Sequence, residues 1–253
     1  MIIVKDKSAI EKMRYCGKIV VNALNEMSQN IKPGVTTDTL NDIGERVLEK
    51  FGASPSFKGY RGFPKAVCIS VNEEVVHGIP GNRVLEEGDI VTLDIGAYHD
   101  GYHGDSAWTY PVGKISDDAR RLLNVTRESL MQGIAQAKPG KSIGDISHAI
   151  QSYVERNSYS VVRDLVGHGI GENLHEEPSV PNFGKPGAGP RLKPGMTFCI
   201  EPMINQGRKD VVTLSDGWTV VAADGKLSAH FEHMVYITEN GHEILTKLED
   251  NVD

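Results

Sequence analysis

Apolar positions recur along this chain with two periods, 3.6 and 2, and the switches between them divide it into helices and strands. Ile10, Met13, Gly17, Val20, Val21, Leu24 and Met27 make an i, i+3, i+4 stripe. The stripe predicts a first helix opened by Ser8, with Glu11 three residues on as in a capping box. Lys32-Pro33-Gly34 breaks it. A second helix follows with Leu40, Ile43, Val47, Leu48 and Phe51 inward, and Gly52 is its stop. Strand-like runs come next, at Ala66–Val71, Ile90–Ala97 and Ser106–Val112. Helical spacing returns with Leu122, Leu123, Val125, Leu130 and Ile134, then with Ile143, Ile146, Ile150 and Val154. Strands resume at Val161–Val166, Thr197–Ile204, Trp218–Val221 and Phe231–Thr238.

The order helix, helix, strands thus occurs twice, and the letters repeat with it. Lys32-Pro33-Gly34 recurs as Lys138-Pro139-Gly140, an offset of 106 (138 − 32), each copy ahead of an amphipathic helix. Leu85-Glu86-Glu87-Gly88 recurs as Leu192-Lys193-Pro194-Gly195, and aligning Gly88 with Gly195 gives 107 (195 − 88). That offset carries Asp94 onto Glu201. His77-Gly78-Ile79 also recurs as His168-Gly169-Ile170, at another spacing. We read one domain over 1–253, built from related α/β halves of roughly 1–113 and 114–253 with a boundary near 113–116. Chance recurrence of common triplets is the competing account. Equivalent carboxylates on equivalent strands would face each other across a pseudo-twofold axis.

Two acids stand in apolar strands. Asp94 lies within Ile90-Val91-Thr92-Leu93-Asp94-Ile95-Gly96, and Glu201 follows Phe198-Cys199-Ile200. A carboxylate so placed is costly unless its charge is paired or bound to metal. The Asp100-Gly101 dipeptide is a strong two-residue hairpin signal. It pairs His99 with Tyr102 and, counting outward, Gly96 with Asp105. Side chains alternate along a strand, so Asp94 and Asp105 share a face as diagonal neighbours, roughly 7–8 Å apart at Cα. They repel unless a cation sits between them. A bulge would change the parity, and a solvated edge pair with a salt bridge is the bland alternative. Glu232, in His230-Phe231-Glu232-His233-Met234-Val235, and His168, between Gly167 and Gly169, extend the set.

One imidazole and four carboxylates form an oxygen-rich set without thiolate. It suits Mn, Fe(II) or Co, with Zn admissible, better than a structural zinc site. Two bridging carboxylates hold two metals about 3.5–4 Å apart, the separation of two-metal hydrolases. Peptide hydrolysis fits this chemistry. Other motifs fail. There is no HExxH and no GxSxG. Gly167–Gly171 lacks GxGxxG spacing. Gly140-Lys141-Ser142 lacks the earlier glycine of a phosphate loop, because position 135 is alanine.

Composition narrows the setting. The net charge is −7 without Lys/Arg runs, a poor match to nucleic acid or anionic membrane. Cys16, Cys68 and Cys199 form no CxxC pair and are odd in number, which fits a reducing compartment. The amino-terminal segment Met1–Lys7 is too short and charged for a signal peptide. A soluble, cytoplasmic protein is expected.

Taken together, these residues resemble the type I methionine aminopeptidases of the pita-bread fold. The resemblance spans nearly the whole chain. It is carried by Val75-Val76-His77-Gly78-Ile79-Pro80, Asp94 with Gly104-Asp105, Gly167-His168-Gly169-Ile170-Gly171, His175-Glu176-Glu177-Pro178, Pro194-Gly195-Met196-Thr197-Phe198 with Ile200-Glu201-Pro202, and Glu232-His233. It implies two pseudo-symmetric α/β halves around a central, curved, mostly antiparallel sheet flanked by helices. It implies Asp94 as chelating ligand of one metal, Asp105 and Glu232 as bridging ligands, and His168 and Glu201 as ligands of the other. Glu201 would also accept the proton of the attacking water. His77 and His175 resemble two non-ligand histidines that bind substrate, orient the scissile amide and stabilise the tetrahedral intermediate. Tyr60, Phe63, Cys68 and Trp218 fall at methionine-pocket positions. Leu174 departs from the family's usual aromatic there, which puts the pocket edge in question. The absence of an amino-terminal zinc-binding extension and of a type II insertion points to the short bacterial form.

The activity so implied is removal of initiator methionine from nascent polypeptides, with a small second residue preferred. A transient ribosome contact is compatible with it, and a monomer is expected. The rivals are an Xaa-Pro peptidase of the same superfamily and a non-catalytic pita-bread binding module. The latter predicts lost metal ligands, and all five positions are filled.

Overall fold

The computed structural model describes residues 1–248, so the last five positions of the expected 1–253 domain lie outside the described residues. Helix α1 spans Lys7–Ser28 and α2 spans Thr37–Lys50. The α1 cap is Asp6, whose Oδ1 accepts from Ala9 N at 2.8 Å. The capping box expected at Ser8 is therefore corrected: an acid two residues earlier takes the free N–H of the first turn, and Ser8 lies inside the helix. The remaining helices are α3 (Asp117–Ile134), capped by Ser116, and α4 (Ile143–Arg156), opened by a Ser142/Asp145 capping box.

The first half holds strands β1 (Ser54–Pro55), β2 (Val67–Val71), β3 (Glu74–Val76), β4 (Ile90–His99) and β5 (Tyr102–Pro111). The second holds β6 (Ser160–Val161), β7 (Gly167–Gly169), β8 (Glu176–Val180), β9 (Thr197–Ile200), β10 (Met203–Asn205), β11 (Val211–Thr213), β12 (Val220–Ala222), β13 (Ser228–His230), β14 (His233–Ile237) and β15 (His242–Ile244). The strand pairings among the described residues are all antiparallel, and they form four sheets rather than one unbroken ladder. In one sheet β4 is flanked by β5 on one side and by β1 and β2 on the other. A second runs β15-β14-β9-β7-β8. The halves are joined by Val220↔Val76 between β12 and β3 and by bonds from β5 to residues 230 and 232.

Several strands differ from their expected bounds, each for a local reason. The run expected at Val161–Val166 pairs only over Ser160–Val161, and Leu165 and Val166 line a cavity instead. The run expected at Thr197–Ile204 breaks after Ile200, since Pro202 has no N–H for a ladder; its two parts enter different sheets. The strand expected at Trp218–Val221 starts at Val220, because Asp216 Oδ1 takes the N–H of Trp218 and of Thr219. The strand expected at Phe231 starts at His233, since Glu232 N donates to Ala107 O in β5.

Both helix pairs pack on the strands through one apolar core. Ile19, Leu24 and Met27 of α1 and Leu40 of α2 meet Val67, Leu93 and Ile95, while Leu122, Ile134, Ile146 and Ile150 continue the core in the second half. Matching backbone contacts recur between the halves. Gly34 N donates to Leu85 O, and Gly140 N to Leu192 O. Leu85 N donates to Val35 O, and Leu192 N to Lys141 O. The isolated bridges Thr36↔Val84 and Ser142↔Arg191 match in the same way. No described helix is long and apolar enough to cross a membrane.

Candidate metal centre and substrate cavity

The β4–β5 hairpin turns through Asp100 (φ 47°) and Gly101 (φ 85°), the left-handed pair that a two-residue turn of this type requires. His99 pairs with Tyr102 and Gly96 with Asp105, so Asp94 and Asp105 point to one face. Glu232 joins them because its backbone is held against β5. Its N–H donates to Ala107 O at 2.8 Å, and Ser106 Oγ donates to its carbonyl at 2.6 Å. His168 enters from the centre of β7, with Nε2 3.8 Å from Asp105 Oδ2 and 3.7 Å from Glu201 Oε1. Its Nδ1 lies 2.9 Å from Gly169 O. Donation there makes Nε2 the lone-pair nitrogen, which faces the carboxylates. Glu201 sits just past β9, where Pro202 turns the chain.

The electrostatics of this cluster are unfavourable as it stands. Asp105 and Glu232 are 3% and 2% exposed, and Asp94 Oδ1, Asp105 Oδ1 and Glu232 Oε1 are buried without a hydrogen-bond partner. Burial pushes Asp94 up to about 7. Burial first, and then the neighbouring carboxylates, raise Asp105, Glu201 and Glu232. Burial lowers His168 to about 4. No Lys or Arg is paired with these four acids among the described residues. Orphaned oxygens and a neutral imidazole converging on one point fit a divalent cation.

Ligand atoms of Asp105, His168, Cys199 and Glu232 lie within 4.8 Å of one another. Sequence reasoning gave Cys199 no place there. It stands two residues before Glu201 on β9, so strand alternation turns it to the same face. Burial and then Glu232 raise its thiol, and the side chain packs in the apolar cluster with Met13 and Met234 and does not line the cavity. Asp94, Asp105, His168, Glu201 and Glu232 all line the cavity.

That cavity has a volume of about 270 Å³. Tyr60, Phe63, Cys68 and Trp218 all line it. Phe63 and Trp218 meet edge to face at 5.2 Å. Leu174 is buried in the same wall. His175 Nδ1 lies 2.9 Å from Tyr60 Oη, and its ring is 4.1 Å from that of His168. Burial, then the nearby His168 and Arg61, lower His175 to about 3. His77 takes a left-handed backbone (φ 60°) at the end of β3, its ring 6.4 Å from Trp218. Burial lowers its pKa as well. Both rings are thus neutral donors and acceptors rather than cations. Phe57, Val76, Leu165, Met203 and His230 also line the cavity and were not singled out from the sequence. Of these, His230 had one readable signal, since it stands two residues before Glu232.

The family model for metallopeptidase family M24 matches residues 11–239. A protein from Bacillus subtilis (strain 168) named methionine aminopeptidase 1 is 58% identical over 248 residues, 98% of this chain and 100% of that protein. The crystal structure of a methionine aminopeptidase from Thermotoga maritima aligns with TM-score 0.96 at 50% identity, covering 98% of this chain and 100% of that one. One from Rickettsia prowazekii aligns with TM-score 0.96 at 44% identity, with the same coverage. A prolidase from Pyrococcus horikoshii OT3 aligns with TM-score 0.81 at 22% identity, over 99% of this chain and 65% of its own, and shares the fold.

Proposed function

The chain belongs to metallopeptidase family M24, and we propose that its reaction is the removal of the amino-terminal methionine from polypeptides. One observation carries this reading. The five-residue centre opens directly into a cavity walled by Tyr60, Phe63, Cys68 and Trp218, with two further imidazoles, His77 and His175, at its side. An unbranched thioether side chain suits soft aromatic and sulfur walls.

The residues that would hold two divalent ions are Asp94, Asp105, His168, Glu201 and Glu232, all of which line the cavity. Four buried carboxylates and one imidazole support an oxygen-preferring metal: Mn, Fe(II) or Co, with Zn admissible. When bound, such ions neutralise the carboxylates, activate water and polarise the scissile carbonyl. The Glu201 carboxylate accepts the proton of the attacking water and returns it to the leaving amine. With the Tyr60 hydroxyl donating to His175 Nδ1, 2.9 Å away, the ring would carry its proton on Nε2, free to donate to the substrate. His77, fixed by the strained backbone at the end of β3, donates to the scissile amide from the Trp218 side. The two rings orient the amide and favour the tetrahedral geometry. The apolar wall fixes register by receiving the first side chain of the peptide.

The proposal extends to a single catalytic domain of two related halves, supported by the matching backbone bonds around Gly34 and Gly140. It also extends to cytoplasmic monomers that act on nascent chains. The test is to incubate metal-reconstituted protein with Met-Ala-Ser and with an Xaa-Pro peptide. Release of methionine from the first alone is expected. Release from neither, with any of Mn, Fe(II) or Co, refutes the reading.

A further inference from the structure

His230 ends β13 and lines the cavity, yet nothing so far has used it. The residue is 1% exposed, and neither ring nitrogen has a hydrogen-bond partner among the described residues. The backbone around it is rigid: its N–H donates to Thr109 Oγ1, and Thr109 Oγ1 donates to its carbonyl. A buried imidazole with two unmet nitrogens is costly. That cost is explained if its partner comes into reach only in the assembled site.

The carboxylate facing the ring is that of the proposed proton acceptor. His230 Nε2 lies 3.7 Å from Glu201 Oε2, while Glu201 Oε1 lies 3.7 Å from His168 Nε2. The carboxylate therefore stands between two imidazoles, one oxygen toward each. His168 has its Nδ1 engaged by Gly169 O and presents a lone pair to the centre. His230 carries no such second bond, so either nitrogen is available to hold the proton.

We propose that His230 is a positioning residue for Glu201, its Nε2–H donating to Glu201 Oε2 once the site is charged, so that Oε1 keeps its aim at the centre. The contact closes by a shift of less than an ångström, from 3.7 Å to hydrogen-bond distance. Without it, the carboxylate would be held through Oε1 alone and could turn about that contact, and the oxygen that meets the attacking water would lose its fixed place. The proposal rests on the role of Glu201 given above.

The experiment compares metal-saturated wild type with His230→Gln and His230→Leu in steady-state hydrolysis of Met-Ala-Ser, with bound metal counted by elemental analysis. Glutamine keeps an N–H donor, and leucine removes it. His230→Leu is expected to lose about 10- to 100-fold in kcat, the size of one hydrogen bond to a charged group, with KM nearly unchanged. His230→Gln is expected to recover most of that loss, and both variants are expected to hold the wild-type metal content. In a Glu201→Gln background, His230→Leu should cost little more. Where the leucine variant does not fold, His230→Met carries the same comparison. An active wild type with an equally active His230→Leu overturns the inference alone. So does a change confined to KM, or a glutamine variant as impaired as leucine. A wild type that releases no methionine refutes the function, not the hydrogen bond.

Discussion

Replacing Lys5 by Met tests whether the loop that carries His175 is held by charge. Lys5 Nζ lies 2.5 Å from Glu176 Oε2, and the two side chains are only 4% and 5% exposed. Glu176 directly follows His175, and its other oxygen accepts from Asn173 N at 3.1 Å. Lys5 itself is tied down, since its N–H donates to Gly195 O and its stem lies over Gly171. Methionine reproduces the stem but not the cation. The variant leaves Glu176 buried with one remaining N–H, and breaking a buried pair in this way costs about 3–5 kcal/mol. At about 2–4 °C per kcal/mol for a chain of this size, the melting temperature should fall by roughly 6–20 °C. Turnover should fall as well, because the Tyr60–His175 contact depends on the same loop. Scanning calorimetry on metal-saturated protein measures the first effect, and kcat on Met-Ala-Ser the second. The double variant Lys5→Met/Glu176→Leu is the control. It removes both charges and should recover most of the loss, giving a coupling energy of about 2 kcal/mol or more. A single variant that loses less than about 1 kcal/mol would mean the pair behaves like a surface pair. A double variant as unstable as the single would locate the cost in packing, and the charge argument fails.

Metal removal should invert the pH dependence of stability. In the metal-free protein Asp94 is raised to about 7, and Asp105, Glu201 and Glu232 are raised too. Through these acids the folded state binds more protons than the unfolded one, so their contribution is full below the ordinary carboxylate value of about 4 and falls as pH rises toward 7 and beyond, while the lowered histidines act oppositely only up to the ordinary imidazole value of about 6.5. Melting curves of chelated protein should drop from about pH 6.5 to 8, above the ordinary imidazole value, while those of metal-loaded protein do not; parallel curves would refute this. His77→Ala should keep its metal and lose about 10²- to 10³-fold in kcat, and loss of bound metal would move His77 into the ligand set. Gly78→Ala should disturb both stability and turnover. A Cβ there would stand 2.2 Å from Ile69 O, so the backbone must shift, at a cost of about 1–3 kcal/mol. Thermal unfolding and kcat read the two effects, and a variant unchanged in both would show that His77 does not depend on that close approach.

What was legible in the sequence was what local geometry decides. The Asp100-Gly101 turn fixes the register of β4 and β5 from within, because its left-handed φ values admit few residues. The shared face of Asp94 and Asp105 follows from that turn alone. The helices were legible because their buried stripes repeat every three or four residues. The cap of α1 was misplaced by two positions, since Asp6 and Ser8 are both competent caps and only the side-chain bond to Ala9 decides. Short strands were the weak point. β3, β7 and β13 have three residues each, too few for a period to register, and their partners lie far away in the chain.

The site divides along the same line. Glu201 announced itself as an acid in an apolar run, and the cost of burying a charge made it conspicuous without knowledge of any neighbour. His230 carried no such mark, because a neutral imidazole is tolerated in a core if it is bonded, and its bonding is a tertiary fact. What makes His230 stand out is its placement: β13 pairs with β10, Thr109 of β5 grips its backbone from the other half, and the ring is left facing Glu201 with nothing to bind. The same β5 contacts bring Glu232 beside Asp105. One backbone seam between the halves thus sets both a proposed ligand and its unpartnered neighbour. Loss of that seam, for instance through Thr109→Val, should therefore disturb the position of Glu232 and His230 together, a coupling that neither residue's local sequence predicts.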